Sequence, residues 1–309
     1  MWDGREMSRR LKHDLLESDN SSFINTYLSY RYINEAANNY VMRTNSVRST
    51  QSITTVADQA EYTLSPDHLN IYVQEDGRRY IKYNNGATNF FPEYEDYEEI
   101  IHRSSSSSTA IPSQFAVIDH PTLTSVVSGT TTSAGAVSNG ECTLTDSTAS
   151  FTDTVSVGDM VHNETDVDSS SNGSYGVVIE VTSDTALVTA LFGGGDADWT
   201  SSDSYVIVPQ GRLQLVLYPP PTTSGHTITV YYNARPTPVF APFRTFRIQS
   251  QFIPEILRDA KALYELRGGD YQKGSADKQL ANVGTFNANL NYSKTFNRKG
   301  FGVHMRRKR

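Results

Sequence analysis

Arg212-Leu213-Gln214-Leu215-Val216-Leu217-Tyr218-Pro219-Pro220-Pro221-Thr222-Thr223-Ser224-Gly225-His226-Thr227-Ile228-Thr229-Val230-Tyr231-Tyr232-Asn233 is the stretch on which the architecture turns. Two apolar, Tyr-bearing runs flank three prolines and a glycine, which predicts strands at 212–218 and 227–233 joined by a loop that cannot itself be strand. The same character occurs far earlier, in short β runs at 53–56, 61–64, 69–73 and 79–83, with Glu75-Asp76-Gly77 as a hairpin turn. Residues 122–209 lie between these two regions and differ from both: they are rich in Ser, Thr and Gly, with strand-like pieces at 141–145, 159–163, 175–181, 186–189 and 205–208. Val177, Val178, Ile179, Val181, Leu187, Val188 and Leu191 supply the core that a linker would lack. The segment therefore reads as a small β domain inserted into a host whose halves lie on either side of it.

Helical periodicity frames the host. Phe23, Tyr27, Tyr30, Ile33, Ala37, Tyr40 and Val41 recur at steps of three and four. Ile253, Ile256, Leu257, Ala260, Leu263 and Tyr264 do the same after Pro254; Gly268-Gly269 ends that helix, and Asp270 caps another carrying Tyr271, Leu280, Val283 and Phe286. A further short helix falls at 93–102, and the serine run 104–108 reads as a connector. The predicted fold class is α+β: a helical bundle with an antiparallel β region, plus an inserted small all-β domain. The expected boundaries are 1–121 with 210–297 for the host, 122–209 for the insert, and 298–309 for a basic tail. Tyr27, Tyr30, Arg258, Glu265 and Arg267 are the candidate contacts to neighbouring subunits.

Charge is segregated along the chain. No Lys or Arg occurs from 104 to 211, where thirteen Asp and Glu fall, whereas 278–309 holds eight Lys and Arg and no acid. The net charge of −7 over 309 residues hides these opposed blocks. Clustered like charges orient partners, so the pattern suggests an assembly subunit. Cys142 is the only cysteine, which excludes an intrachain disulfide, and no apolar run is long enough to span a bilayer.

Catalytic patterns do not emerge. The seven histidines are scattered, and Gly193-Gly194-Gly195 lacks the Lys and Ser or Thr of a phosphate loop, so it reads as a turn. Asp166, Asp168, Ser170, Asn172 and Gly173 form the best metal candidate. Gly173 falls at position six counted from Asp168, as in a calcium loop, but Glu180 falls one residue late for the closing ligand, which favours a solvated hairpin loop. No cofactor is expected, and the protein is not expected to be an enzyme. Trp199 is the insert's only Trp, too little aromatic surface for the competing reading, a tail adhesin or decoration module with a β binding domain.

The order of these elements resembles the head-to-tail adaptor (connector) proteins of tailed bacteriophages. Phe23-Ile24-Asn25 to Ala36-Ala37 is similar to that family's N-terminal helix. Thr54-Thr55-Val56-Ala57-Asp58-Gln59-Ala60-Glu61-Tyr62-Thr63-Leu64-Ser65-Pro66-Asp67 resembles its hairpin, though Ser65 stands where a Leu-Pro pair is commoner. Residues 213–221 and 228–236 look like its closing strand pair, and Ile253-Pro254-Glu255 like the start of its C-terminal helix. In the insert, Val157-Gly158-Asp159-Met160-Val161 and Ser204-Tyr205-Val206-Ile207 resemble small β modules of phage structural proteins. The resemblance implies a ring of twelve subunits beneath the portal, extending the DNA channel and offering a platform to a tail nozzle or tail tube, with viral DNA in the lumen and no membrane partner.

The tail reads Arg298-Lys299-Gly300-Phe301-Gly302-Val303-His304-Met305-Arg306-Arg307-Lys308-Arg309. Phe301, Val303 and Met305 alternate with smaller or polar residues, the period of a strand without a sheet of its own. Such a strand can add to an exposed edge of the portal, with Arg298, Lys299, Arg306, Arg307, Lys308 and Arg309 on an acidic patch. Contact with DNA phosphates and a disordered solubilising role are the alternatives.

Overall fold

The computed structural model describes residues 2–17, 23–72, 81–103, 110–119, 126–268 and 270–296. Helices α1 (Gly4–Asp14) and α2 (Thr26–Thr44) come first. Short strands follow: β1 (Arg48–Thr54), β2 (Glu61–Thr63), β3 (His68–Ile71), β4 (Ile81–Asn84), β5 (Asn89–Phe90) and β6 (Glu93–Tyr94), then α3 (Tyr97–Arg103) and β7 (Gln114–Asp119). Next come β8 (Val127–Thr130), β9 (Cys142–Thr145), α4 (Phe151–Thr154), β10 (Met160–Val167), β11 (Gly173–Ser183), β12 (Ala186–Gly193) and β13 (Ser204–Val208). The chain then forms β14 (Leu213–Tyr218), β15 (Thr227–Ala234), α5 (Ile253–Arg267) and α6 (Tyr271–Phe296).

Proline places the central bend. Pro219, Pro220 and Pro221 have no N–H to give a ladder, so the chain turns away after β14, and Gly225 takes a left-handed φ of 85° before β15 begins. β14 and β15 consequently enter different sheets. The four-stranded sheet runs β2-β14-β7-β6, and the five-stranded sheet runs β1-β15-β4-β5, with β3 also on β15. Because β1 pairs with β15 and β2 with β14, residues 48–63 and 213–234 form one antiparallel ribbon bent at its middle. Backbone bonds from Thr55 N to His226 O, Gly225 N to Thr55 O and Asp58 N to Pro221 O hold the two corners together. The hairpin expected at 54–67 and the closing pair expected at 213–236 are thus each a corner between sheets, and each strand pairs with the other stretch. The Glu75-Asp76-Gly77 turn and the serine run lie outside the described residues.

The insert leaves the host where a hairpin loop would stand. Asp119, at the end of β7, is the register partner of Leu213, at the start of β14. Between them six strands form a sheet in the order β8-β13-β10-β11-β12-β9. The sheet curls until Ser133, just past β8, bridges Thr145 at the end of β9. Its inner face holds Leu144, Phe151, Val161, Val178, Leu187, Trp199 and Ile207.

The expected helical bundle is corrected. Among the described residues the molecule is mostly β, with fifteen strands in three sheets and six helices covering 29% of the chain. The helical stripes are present and the helices pack on one another, but their core is shared with the sheets rather than closed among helices. Met7, Leu11, Ile33, Ala37, Val41, Ile256, Leu257 and Ala260 share one buried cluster with Ile81, Tyr83, Leu215, Leu217, Ile228 and Val230. An apolar stripe records that a helix has a buried face, not which element covers it.

Candidate functional site

The junction between host and insert is the first surface to consider. Along β11 successive side chains point to opposite faces, so Val178 enters the insert's own core while Val177 and Ile179 point at the host. They meet Tyr30, Phe240 and Ala241, with Tyr27, Met160, Val188 and Phe192 at the margin. Tyr27 packs edge-on to Tyr175 at 4.9 Å, and Tyr30 lies edge-on to Phe240 at 6.4 Å. Burial, with Asp3 nearby, pushes the Tyr30 hydroxyl up to about 12. Tyr27 and Tyr30, expected to face a neighbouring subunit, therefore face the insert of their own chain.

Beside this contact a cleft of about 860 Å³ opens between α2 and the insert. Met160, Val177, Ile179 and Phe240 give it an apolar wall, and Arg31, Arg48, Arg235 and Arg247 line it with positive charge. Its two acids are engaged elsewhere: Glu35 accepts from Arg267 at 3.0 Å, and Asp67 accepts from the Tyr232 hydroxyl at 2.8 Å.

The second surface is α6. Gly274, Ala281, Thr285 and Ala288 form its buried seam, and a Cβ on Gly274 would come within 2.7 Å of Leu266. Small residues let α6 lie close to α5, and two ion pairs fasten it: Lys278 to Asp259 at 2.5 Å and Lys261 to Asp277 at 2.8 Å. Asp270 caps the helix, accepting from Lys273 N at 3.3 Å. Three large apolar side chains point the other way. Leu280, Val283 and Phe286 are 55%, 59% and 63% exposed, on the side of the helix opposite the seam. The expectation that these residues, with Tyr271, pack a bundle core is corrected, because the seam consists of small residues that the apolar pattern does not mark.

The other candidate contacts are tied within the chain. Arg258 donates to Glu255 at 2.7 Å, and Arg267 reaches Glu35 while lying over the Tyr32 ring at 5.2 Å. Glu265 sits 3.6 Å from Lys261; burial first, then Asp277, raises its carboxyl against the pull of that lysine.

The loop carboxylates hold the backbone. Asp166 accepts from the N–H groups of Gly195, Asp196 and Ala197, each at 2.9 Å. Burial pushes its carboxyl up, but these bonds and the Ser174 hydroxyl outweigh that and lower it. Gly193 and Gly194 take φ of 74° and 68°, so the triple glycine is the turn that the sequence predicts. Asp168 accepts from Asn172 N at 2.9 Å and Ser170 N at 2.8 Å, and its oxygens also face the Asn172 side-chain amide. Asp166 and Asp168 serve different loops, and no group of three or more His, Cys, Asp or Glu that could hold a metal occurs among the described residues. Trp199 is buried and donates Nε1 to Thr189 at 2.9 Å, so its ring is no platform for a sugar. No helix among the described residues is long and apolar enough to cross a membrane.

The basic tail residues Arg298, Lys299, Phe301, Val303, Met305, Arg306, Arg307, Lys308 and Arg309 lie outside the described residues. No protein-family model matches the chain, and no curated protein matches it.

Proposed function

We propose that the chain is the head-to-tail adaptor subunit of a tailed phage, a structural virion protein assembled in the host cytoplasm. In this reading twelve copies form a ring beneath the portal, line the DNA channel and carry the tail nozzle or tail tube. The observation that supports it best is α6, whose Gly274, Ala281, Thr285 and Ala288 face inward while Leu280, Val283 and Phe286 face outward. A helix with that arrangement is built for contacts beyond its own subunit, because exposed clustered apolar side chains mark association surfaces. In sequence α6 leads into the basic tail, so the apolar face and the cationic segment stand at the same end of the chain. The bent ribbon and its two sheets supply a rigid frame for these surfaces.

Negative-stain microscopy of the purified chain, alone and mixed with its portal ring, tests the proposal. Rings with a central hole, stacked coaxially on the portal, are expected. Trimeric stalks, or a chain that leaves portal rings bare, overturn it. The same mixture made with the chain ending at Asn297 tests the tail: portal binding is lost if the tail docks there and is kept if it does not.

A further inference from the structure

The arginine cleft has a counterpart elsewhere on the same chain. Glu93, Glu95, Asp96, Glu98 and Glu99 place five carboxylates within seven residues, interleaved with Tyr94 and Tyr97. Glu93, Asp96, Glu98 and Glu99 are exposed. Glu95 takes the Gln114 amide at 3.1 Å and Glu99 lies 3.7 Å from Arg103, which leaves Glu93, Asp96 and Glu98 without an ion pair among the described residues. In the cleft, Arg31 and Arg247 likewise make no ion pair among the described residues.

The two patches belong to different sides of the host. α3 rests through Ile100 on Ala116 and Val216. Those residues point away from the sheet face that sends Phe115, Leu215 and Leu217 into the main core, and α2 contributes to that core. The acidic strip is therefore separated from α2 and its cleft by the β7–β14 sheet and the core behind it. A patch and its complement on different faces of one subunit make a head-to-tail contact, the kind that closes into rings.

We infer that the strip at 93–99 of one copy seats in the arginine cleft of the next copy; this rests on the ring reading above. Glu93 and Glu98 oppose Arg31 and Arg247, while Tyr94, edge-on to Phe115 at 5.6 Å, and Tyr97, packed beside Ile100, stay with their own subunit and hold the strip in place. Copies that each carry a net charge of −7 repel at long range. Local complementarity of this kind sets their orientation and makes the contact sensitive to salt.

Two full-length variants test the pairing. One reverses the cleft (Arg31→Glu with Arg247→Glu), and the other reverses the strip (Glu93→Lys with Glu98→Lys). All four positions are exposed, and melting curves check that both variants fold. Self-association is followed by sedimentation at low ionic strength. Each variant alone is expected to associate about tenfold or more weakly than the wild type, and an equimolar mixture is expected to recover association, because each then offers the charge that the other needs. A wild-type chain that stays monomeric, variants that associate normally, or a mixture without recovery would each overturn the pairing. Portal binding separates the two claims. A chain that self-associates with recovery but ignores the portal overturns only the adaptor reading, and one that binds the portal with no charge-swap recovery overturns only the pairing.

Discussion

Arg244 of the host donates Nε to Glu141 of the insert at 2.7 Å and a terminal nitrogen to Glu180 at 3.1 Å. The insert has no Lys or Arg of its own, so these two of its acids take their cation from the host. Arg212 does the same for its hydroxyls, reaching Ser156 at 2.6 Å. Charge that is segregated along the sequence is thus partly matched in space. The apolar contact of Val177 and Ile179 with Tyr30 and Phe240 lies at the same junction.

Removing each in turn separates their weights. Arg244→Ala breaks pairs that remain partly exposed and is expected to cost no more than about 1 kcal/mol. Phe240→Ala empties a buried site and is expected to cost about 3 kcal/mol. Limited proteolysis should then cut the junction of the Phe240 variant faster than that of the Arg244 variant. Equal rates would show the ion pairs to matter as much as the apolar contact.

His68 gives the fold a dependence on pH. It is buried, stacked on Tyr232 at 4.8 Å, and neither ring nitrogen has a partner. Burial lowers it from 6.5 to about 4; Asp67 pulls the other way, and Arg235 adds to the lowering. Between those values the unfolded chain binds a proton that the folded chain refuses, so stability is complete above pH 6.5 and falls as the pH drops toward 4. The loss approaches about 3 kcal/mol. His68→Phe keeps the stacked ring without the proton site, and its melting temperature should vary less over that window than the wild type's. Parallel curves for the two proteins would refute the assignment.

The parts of this architecture that were readable in the sequence are those set by neighbours along the chain. The two strands around Pro219-Pro220-Pro221 are legible because their apolar runs and the missing N–H groups are local facts. The start of α5 at Pro254 and the cap at Asp270 are legible for the same reason. Their partners were not: nothing local says that 213–218 pairs with 61–63 and 114–119 rather than with 227–234. The short strands β5 and β8 carry too few residues to show a period. Tyr27 and Tyr30 were visible as part of a buried stripe, but the insert that covers them lies more than a hundred residues further along. In α6 the pattern misled outright, because its seam is built from Gly, Ala and Thr while Leu280, Val283 and Phe286 face outward. The arginine cleft was not legible, since its four cations come from α2, β1 and the connection from β15 to α5, and only the fold gathers them.

Asp166 is expected to act as a latch. Its carboxylate takes three backbone N–H groups of the 195–197 loop, donors that would otherwise lose their partners. Asp166→Ala should destabilise the insert by about 1–3 kcal/mol. Asp166→Asn keeps one accepting oxygen and should lose less. Calcium should leave the wild-type melting temperature unchanged, because the oxygens that would bind it already accept from the backbone. A rise of several degrees in calcium, abolished in Asp166→Asn, would reverse this and restore the metal reading.

The two faces of α6 make opposite predictions for the same kind of substitution. Ala281 is 1% exposed in a seam with no spare room, so Ala281→Leu should force α6 away from α5 and cost about 1–3 kcal/mol. Leu280→Ser and Phe286→Ser remove side chains that touch mostly water, and each should change stability by no more than about 0.5 kcal/mol. If the outward face meets another subunit or the portal, the double serine variant should keep its melting curve and lose assembly, a combination that simple misfolding cannot produce. If assembly on the portal survives while the variant melts normally, the outward face is not the contact, and the adaptor proposal loses the observation that best supports it.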